Sequence, residues 1–302
     1  MPKKVGIIVI NWNSGSLTAL AIAPYLNYES ANIICKVIVV DNASTDDSLL
    51  ILKQYPIQII INSENNGFGH ACNQALEQLS GVEYILLLNP DTTATFTILE
   101  SLIDFLEKNS GYAVTGPQQK NENGQVIKSC GRFPTFKTAL YEVLGISKIL
   151  PQYFKPAPIM LDWDHSQSRE VDHIMGSYML IRKKVIDITG FMDNEYFVYW
   201  EDIDLSKRIT NKGFKSFYNS KYCILHKGGG SGDKIPAIRL FYSISARRIY
   251  WNKHLGYNAA FFLTFLSLTM EPLIRILKSP QQMKPIIKAY NLYVKKIFTS
   301  KE

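Results

Sequence analysis

The N-terminal part of the chain contains four short, mostly apolar runs, and each of them ends at an asparagine or an aspartate. The runs are Val5–Ile10, Lys36–Val40, Ile57–Ile61 and Ile85–Leu88. They lack the regular apolar–polar alternation of a half-buried strand, so each is predicted to be a strand buried on both faces. Segments with helical spacing separate them. This succession predicts an α/β fold with a doubly wound, mostly parallel sheet and helices on both faces.

The residues that follow the four runs form a second pattern. They are Asn11, Asp41, Asn62 and Asn89. Because ligands of open α/β sheets bind at the carboxyl ends of the strands, these side chains are predicted to form a polar rim suited to a phosphate-bearing ligand. The sequence has no Gly-x-Gly-x-x-Gly after the first strand, which disfavours a dinucleotide-binding oxidoreductase.

The segment Asn89-Pro90-Asp91 ends the fourth strand abruptly, because Pro90 lacks a backbone donor and biases Asn89 toward an extended conformation. Asn89 and Asp91 are therefore expected just beyond the strand. A carboxylate with a neighbouring amide suits a hard divalent cation that carries phosphate oxygens. The alternative is that Asp91 and Thr92 only cap the next helix.

A second group of acids follows an aromatic run. Tyr199 and Trp200 precede Glu201, Asp202 and Asp204, which are predicted to lie in the first turn of a helix. Acids are favourable there for electrostatic reasons alone, and that is the competing interpretation. The flat rings beside them suit the face of a sugar.

Two further segments are candidates for the same site. The run Val171–Ile181 is predicted to be a strand in which Gly176 allows close approach of the backbone. His226 precedes a glycine-rich stretch over 228–232, an arrangement that could provide a ligand and a lid, although a single histidine is often structural.

Taken in order, these segments resemble glycosyltransferase family 2, and within it the rhamnosyltransferase-like branch. The matching motifs are Ile10–Asn13, Val39–Ser44, Asn65–Gly69 with Asn73, Leu88–Asp91, Gly176–Arg182, Tyr199–Leu205 and His226. The resemblance implies the GT-A fold over residues 1–235. Residues up to about 115 would form the nucleotide-sugar-binding half and the remainder the acceptor half, followed by a helical extension over 236–302.

The resemblance also implies roles for individual residues. Donor-binding residues would be Ile10, Asn11, Asn13, Asp41, Asn66, Gly67, Asn89 and Asp91, and residues on the acceptor or sugar side would be Gly176, Ser177, Tyr199, Trp200 and Arg247. Asp202 would be the catalytic base, with Glu201 as its neighbour. Asp91 and His226 would hold Mg²⁺ or Mn²⁺. Asn89 departs from the family's Asp-x-Asp motif, and a neutral amide there implies weaker metal affinity.

The implied reaction is inverting transfer of a sugar to a hydroxyl of a glycan or lipid-linked acceptor. The branch suggests dTDP-L-rhamnose as the donor, and UDP- and GDP-sugars remain alternatives. A nucleotidyltransferase would also use acids at strand ends, but it would need a basic, glycine-rich loop where this chain has Asn11–Gly15. A polyanion-binding protein would explain the positive charge but not the acids around Trp200.

The positive charge is concentrated at the C-terminus. Residues 236–302 contain eleven Lys and Arg against two Glu, so this region has a net charge of +9. The whole chain has a net charge of +7, and the first 235 residues therefore have a net charge of −2. Ala259–Met270 is uncharged but shorter than the ~20 residues that cross a bilayer. It is predicted to be an interfacial helix on anionic lipid, with a buried core helix or a homodimer interface as alternatives.

The cysteines Cys35, Cys72, Cys130 and Cys223 are scattered and form no zinc-binding pattern. Reduced thiols favour a cytoplasmic protein, peripheral on the inner face of the membrane if the interfacial helix binds lipid. No nucleic-acid partner is expected.

Overall fold

The computed structural model describes residues 1–26, 32–228 and 236–299. The strands are β1 Lys3–Asn11, β2 Ile33–Asp41, β3 Gln58–Ile61, β4 Tyr84–Leu88, β5 Thr92–Thr93, β6 Tyr112–Lys120, β7 Val126–Ile127, β8 Cys130–Gly131, β9 Arg169–Val171, β10 His173–Ile174, β11 Tyr178–Arg182 and β12 Lys215–His226. The helices are α1 Gly15–Leu26, α2 Ser48–Leu52, α3 Phe68–Glu77, α4 Phe96–Lys108, α5 Phe136–Val143, α6 Lys183–Thr189, α7 Glu201–Asn211, α8 Pro236–His254, α9 Tyr257–Thr269, α10 Glu271–Lys278 and α11 Met283–Thr299. Most of the glycine-rich stretch, 229–232, lies outside the described residues.

The main sheet has the order β3-β2-β1-β4-β11-β6-β12-β5, with β7 and β9 paired at its side. The four predicted strands, β1 to β4, pair in parallel. β11 lies between β4 and β6 and is antiparallel to both. The fold is therefore the predicted α/β arrangement with a mostly parallel sheet.

Alternate residues of β1 enter different cores on the two faces of the sheet. Ile8 and Ile10 pack with α3 on one face, whereas Ile7 and Val9 pack with α1 and α4 on the other. Each fully buried side chain of this size contributes about 1.5–3 kcal/mol relative to an exposed one. Burial on both faces explains why the strand sequences are almost continuously apolar.

The prediction of one continuous strand over Val171–Ile181 is wrong. The structure divides it into β9, β10 and β11, and the break lies at Met175–Ser177. The Gly176 N–H donates to the side chain of Asp202 at 3.0 Å, so this peptide is turned away from the sheet. The break therefore places Met175–Ser177 at the polar edge of the sheet instead of inside a strand.

Residues 132–168 leave the sheet as one long excursion that contains α5 and a short 3₁₀ turn, Ile146–Lys148. The base of the excursion is closed by pairing of β8 with β10, in the register Gly131 opposite His173.

The C-terminal extension shares a core with the acid-bearing segment. Tyr250 and Trp251 of α8 and Leu263 of α9 pack in one cluster with Trp200 and Ile203. Among the described residues no single helix is long and apolar enough to cross a bilayer, and α9 with α10 satisfies that test only as a pair bent by 42°.

Candidate active site

The turn after β4 carries Asp91 to a position beside His226. Thr92 in β5 pairs with His226 at the end of β12, and the Lys227 N–H donates to the Asp91 carbonyl at 2.9 Å. These backbone contacts place His226 Nε2 3.3 Å from Asp91 Oδ2. Residues from distant parts of the sequence thus form a pair at the polar edge of the sheet.

Gln119, a fully buried residue of β6, orients the histidine ring. Its Oε1 lies 2.7 Å from His226 Nδ1, and its Nε2 donates to Ser177 Oγ at 2.7 Å. With Nδ1–H donating to Gln119, the lone pair on Nε2 faces Asp91. Two acceptor atoms that approach each other in this way are suited to a shared cation.

The fit to a divalent cation is partial. One carboxylate and one imidazole are available, and the described residues contain no cluster of three or more His, Cys, Asp or Glu side chains arranged for a metal. A hard cation needs about six ligands, so the remainder would have to come from phosphate oxygens and water. This arrangement agrees with the weak metal affinity expected from Asn89.

A dipeptide joins the Asp91 side of the site to Asp202. The Ser177 carbonyl accepts from the Asn89 N–H at 2.9 Å, and the preceding Gly176 N–H donates to Asp202 Oδ2 at 3.0 Å. Asn89 and Asp202 line the same cavity, of about 520 Å³. The predicted residues in its wall are Asn89, Gly176, Ser177, Tyr199, Trp200, Glu201 and Asp202. Asn89 and the acids at the start of α7 therefore share one cavity, whereas Asp91 and His226 lie outside its lining.

The backbone before α7 is strained. Tyr199 and Trp200 both have φ = 71°, in the left-handed region that residues other than glycine rarely adopt. Such conformations cost about 1–3 kcal/mol each and persist only where packing holds them. Trp200 is held by ring contact with Tyr250 of α8, at 5.3 Å between centroids. This packing orients the first turn of α7 toward the cavity.

Glu201 is buried in the wall of the cavity next to Asp202, and its Oε2 has no hydrogen-bond partner among the described residues. Burial, followed by the charge of Asp202, raises the pKa of the Glu201 carboxyl to about 8. Near neutral pH the side chain is therefore largely protonated, and it presents an O–H group rather than a charge.

Glu201→Gln should stabilise the protein at alkaline pH. The folded-state pKa is raised, so the unfolded chain ionises first, and stability falls as pH rises from about 4.5 to about 8. The neutral amide avoids this loss, and we expect a gain of about 2–4 kcal/mol at pH 9 with little change at pH 4. Urea unfolding across this pH range measures the effect. Glu64→Gln, at an exposed glutamate, is the control, and parallel pH curves for Glu201→Gln and the wild type would contradict the assignment.

Two of the predicted donor residues, Asn11 and Asp41, have side chains that pair with each other. Both are fully buried, and Asn11 Nδ2 donates to Asp41 Oδ1 at 2.7 Å. The Ser44 N–H occupies the second Asp41 oxygen at 3.1 Å. These side chains hold the strand ends together and present no free surface to a ligand, and Ile10 likewise packs in the core.

Other predicted donor residues lie at the rim. Asn13 is partly exposed and accepts from the Thr45 N–H at 2.8 Å, and Asn66 is exposed. Gly67 has φ = 93°, and a Cβ there would collide with the Phe197 carbonyl. The adjacent Phe68 N–H donates to that carbonyl at 2.7 Å. The loop expected to follow the donor therefore rests directly on the aromatic segment before the acids.

Arg247, predicted on the acceptor or sugar side, faces neither solvent nor the cavity. Its guanidinium is buried against Glu271, with Nη2 to Oε2 at 2.5 Å, and it donates to Ser267 Oγ at 2.9 Å. Glu142, which does line the cavity, lies 3.4 Å from Arg247 Nη1. Arg247 therefore supports the cavity wall from behind.

The sequence analysis did not identify Gln119 or the cavity residues Glu142, Lys148, His173 and Arg239. Gln119 sits in an ordinary strand and Glu142 on a short helix, so neither carried a local signal. Arg239 belongs to the basic C-terminal region but matched no motif. Their contribution depends on long-range packing.

Comparison with known proteins agrees with this architecture. A sequence model of Glycosyl transferase family 2 matches residues 7–188. The chain is 25% identical over 217 residues, 68% of this chain and 70% of the relative, to the N-acetylglucosaminyl-diphospho-decaprenol L-rhamnosyltransferase of Mycobacterium tuberculosis. It is 29% identical over 205 residues, 63% of this chain and 72% of the relative, to rhamnosyltransferase WbbL of Escherichia coli.

A solved structure supports the fold. The mannosyltransferase PcManGT of Pyrobaculum calidifontis, in complex with GDP-Man and Mn²⁺, matches with a TM-score of 0.57 at 14% identity, covering 100% of this chain and 89% of that chain. The family match spans more than half of the sequence. The chain therefore belongs to glycosyl transferase family 2, has the GT-A fold, and is a rhamnosyltransferase-like glycosyltransferase.

Proposed function

We propose that the protein is an inverting glycosyltransferase that moves L-rhamnose from dTDP-L-rhamnose to a hydroxyl of a lipid-linked or cell-surface glycan. Two relatives that match most of their length are rhamnosyltransferases by name, and one of these names specifies a diphospho-decaprenol acceptor. The observation that carries the proposal is the convergence of Asn89 and Asp202 on one cavity.

The donor diphosphate is proposed to lie on the Asp91 side of the cleft. Asp91 and His226, oriented by Gln119, would hold Mg²⁺ or Mn²⁺ there together with the phosphates. When bound, the cation would neutralise the negative charge that develops on the leaving diphosphate. Asn89 would contact the donor from the cavity wall, and Asn66 and Gly67 would follow the nucleotide-sugar along the rim.

The acceptor is proposed to enter from the opposite side. Asp202 would take the proton from its hydroxyl as the oxygen attacks the anomeric carbon, and the carbon–oxygen bond to the diphosphate would break on the far face with inversion. The N–H groups of Gly176 and Ile203, at 3.0 and 2.8 Å, fix the carboxylate in place. Tyr199 and Trp200 would pack on the sugar ring.

A donor panel tests this function. We expect the protein, supplied with Mn²⁺ and an acceptor glycan, to release dTDP from dTDP-L-rhamnose faster than it releases UDP or GDP from their sugars. A chelator should suppress the release, and Asp91→Asn should require more metal to restore it, because the pair would lose its only carboxylate ligand. Mass spectrometry of the released nucleotide measures both effects.

Three outcomes would each reject a different part of the proposal: the donor, the metal or the reaction itself. Faster release of UDP or GDP would reject the rhamnose donor while keeping a nucleotide-sugar transferase. Full activity in the presence of chelator would reject the role of metal. Absence of release from every nucleotide-sugar, by a protein that is folded by circular dichroism, would reject the proposed reaction.

A further inference from the structure

An exposed apolar surface lies beside the cavity, and its outer part belongs to the C-terminal extension. Phe261 and Phe265 of α9 are 66% and 55% exposed, although the opposite side of the helix, with Ala260 and Leu263, is buried. Leu273 and Leu277 of α10 are also exposed. Isolated exposed apolar residues are common on soluble proteins, but a contiguous group usually marks an interaction surface.

The same surface continues onto the excursion that forms the cavity wall. Phe136, at the start of α5, contacts Phe262 of α9 with ring centroids 6.1 Å apart. Lys278 of α10 donates to the Gly145 carbonyl at 2.6 Å, at the far end of α5. The helices α9 and α10 are thus attached to both ends of the element that carries Glu142 into the cavity wall.

The excursion itself runs from exposed apolar residues into the cavity. Lys148 lines the cavity, and Ile149, Leu150 and Tyr153 after it are exposed. The chain then returns to the cavity at Pro156, Pro158, Ile159 and Leu161, which form an apolar part of its wall. One segment of the chain therefore contributes both exposed apolar residues and part of the cavity wall. We call these parts, Phe136, 149–153 and the exposed residues of α9 and α10, the apolar face.

The two segments that form the apolar face carry a net positive charge, with five basic residues against two acids. Residues 133–161 contain Lys137, Lys148 and Lys155, and residues 257–278 contain Arg275 and Lys278. The acids of the two segments are Glu142 and Glu271, of which Glu271 is buried against Arg247 and Arg275. Two copies of a surface with this charge would repel each other, whereas an anionic lipid surface would attract it.

We propose that the apolar face docks on the surface of an anionic bilayer, so that the cavity opens at the lipid headgroups and receives an acceptor anchored in the membrane. The acceptor class is an amphiphile with a long hydrocarbon chain and a phosphate-bearing sugar head. This inference rests on the proposed function for its acceptor, but the docking itself is independent of catalysis. Aromatic side chains at the headgroup level and lysines around them are the usual composition of such a surface.

Vesicle flotation tests the docking. The full chain should float with vesicles of equal parts phosphatidylcholine and phosphatidylglycerol, and much less with phosphatidylcholine alone. The double variant Phe261→Ser/Phe265→Ser should bind the anionic vesicles at least about tenfold more weakly, because two aromatic side chains no longer enter the interface. The control Leu50→Ser/Ile188→Ser, at residues 70% and 57% exposed on α2 and α6, should bind like the wild type.

Activity distinguishes docking from the chemistry. The double variant should lose about tenfold in transfer to a long-chain prenyl diphosphate sugar in vesicles and keep its transfer to a soluble short-chain analogue. Wild-type protein that does not float, or a double variant that floats equally well, would overturn the docking whatever the activity. A wild-type dimer in sedimentation that the double variant converts to a monomer would show instead that the face joins two copies.

Discussion

Replacing Asp202 with asparagine is expected to lower the rate of sugar transfer by about 10²–10⁴, the usual contribution of a positioned general base. The amide keeps the size of the side chain and can still accept from the Gly176 N–H. It cannot take the proton from the acceptor. Donor affinity should change little, because the proposed diphosphate contacts lie at Asp91 and His226.

Steady-state kinetics with calorimetric titration of the donor measure both quantities. Asp187→Asn, at an exposed aspartate on α6 that pairs with Lys183, is a suitable control because it makes the same chemical change at a residue that does not line the cavity. The assignment fails if Asp202→Asn retains turnover, or if donor binding collapses while turnover per bound donor is kept.

Glu271→Gln is expected to destabilise the protein by about 3–5 kcal/mol, because the buried Arg247 loses its bidentate partner and keeps only Glu142, at 3.4 Å, as a counter-ion. Arg247 and Glu271 are each 2% exposed and form a bidentate pair. The reverse change, Arg247→Met, should cost less, since Glu271 keeps Arg275 at 2.7 Å and Ser267 at 2.7 Å. We therefore expect Glu271→Gln to have a lower free energy of unfolding than Arg247→Met.

The pH dependence provides a second measurement. Burial alone would raise the pKa of Glu271, but Arg247 and Arg275 outweigh it and lower the pKa to about 2. The stabilisation by this carboxylate is therefore present above about pH 4.5 and is lost as pH falls toward 2. Urea unfolding followed by tryptophan fluorescence should show a shallower acid limb for Glu271→Gln. Trp251, which lies 4.7 Å from the Arg247 guanidinium, provides a local signal.

A double variant distinguishes the effect of the two charges on stability from the effect of side-chain packing. Arg247→Met/Glu271→Leu should recover much of the stability lost by Glu271→Gln, because the two charges that are 2% exposed are both removed and the partners left behind, Arg275 and Glu142, are partly exposed. If the double variant is less stable than Glu271→Gln, packing rather than charge dominates at this position.

The sequence was sufficient to predict features encoded locally. β4 and its turn were predicted because a continuous apolar run followed by proline allows few conformations, and the acids at 201 and 202 were found because they follow an unusual aromatic run. The positions of Asp91 and Asp202 in space required the sheet order. That order could be inferred for β1 to β4 from the repeating pattern but not for β11, whose sequence does not reveal that it inserts antiparallel beside β4.

Three of the predicted site residues, Asn11, Asp41 and Arg247, are buried for a common physical reason. Asp41 and Asn11 are typical of a ligand-binding rim, but their side chains satisfy each other and become buried. Arg247 was expected on the acceptor or sugar side, yet its partner Glu271 begins another helix 24 residues later. In both cases the deciding contact is long-range, and residue type alone cannot distinguish a group held by the protein from one offered to a ligand.

The register between β4 and β11 has a consequence for how such an enzyme can diversify. Tyr178 opposite Leu88 sets the separation between the turn at Asp91 and the peptide at Gly176, and pairing of Gly131 with His173 closes the excursion at its base. The excursion between Gly131 and His173 can therefore vary in length without a change in the register of β4 and β11. Related chains can therefore keep the same reacting groups and differ in acceptor preference through changes in this one segment.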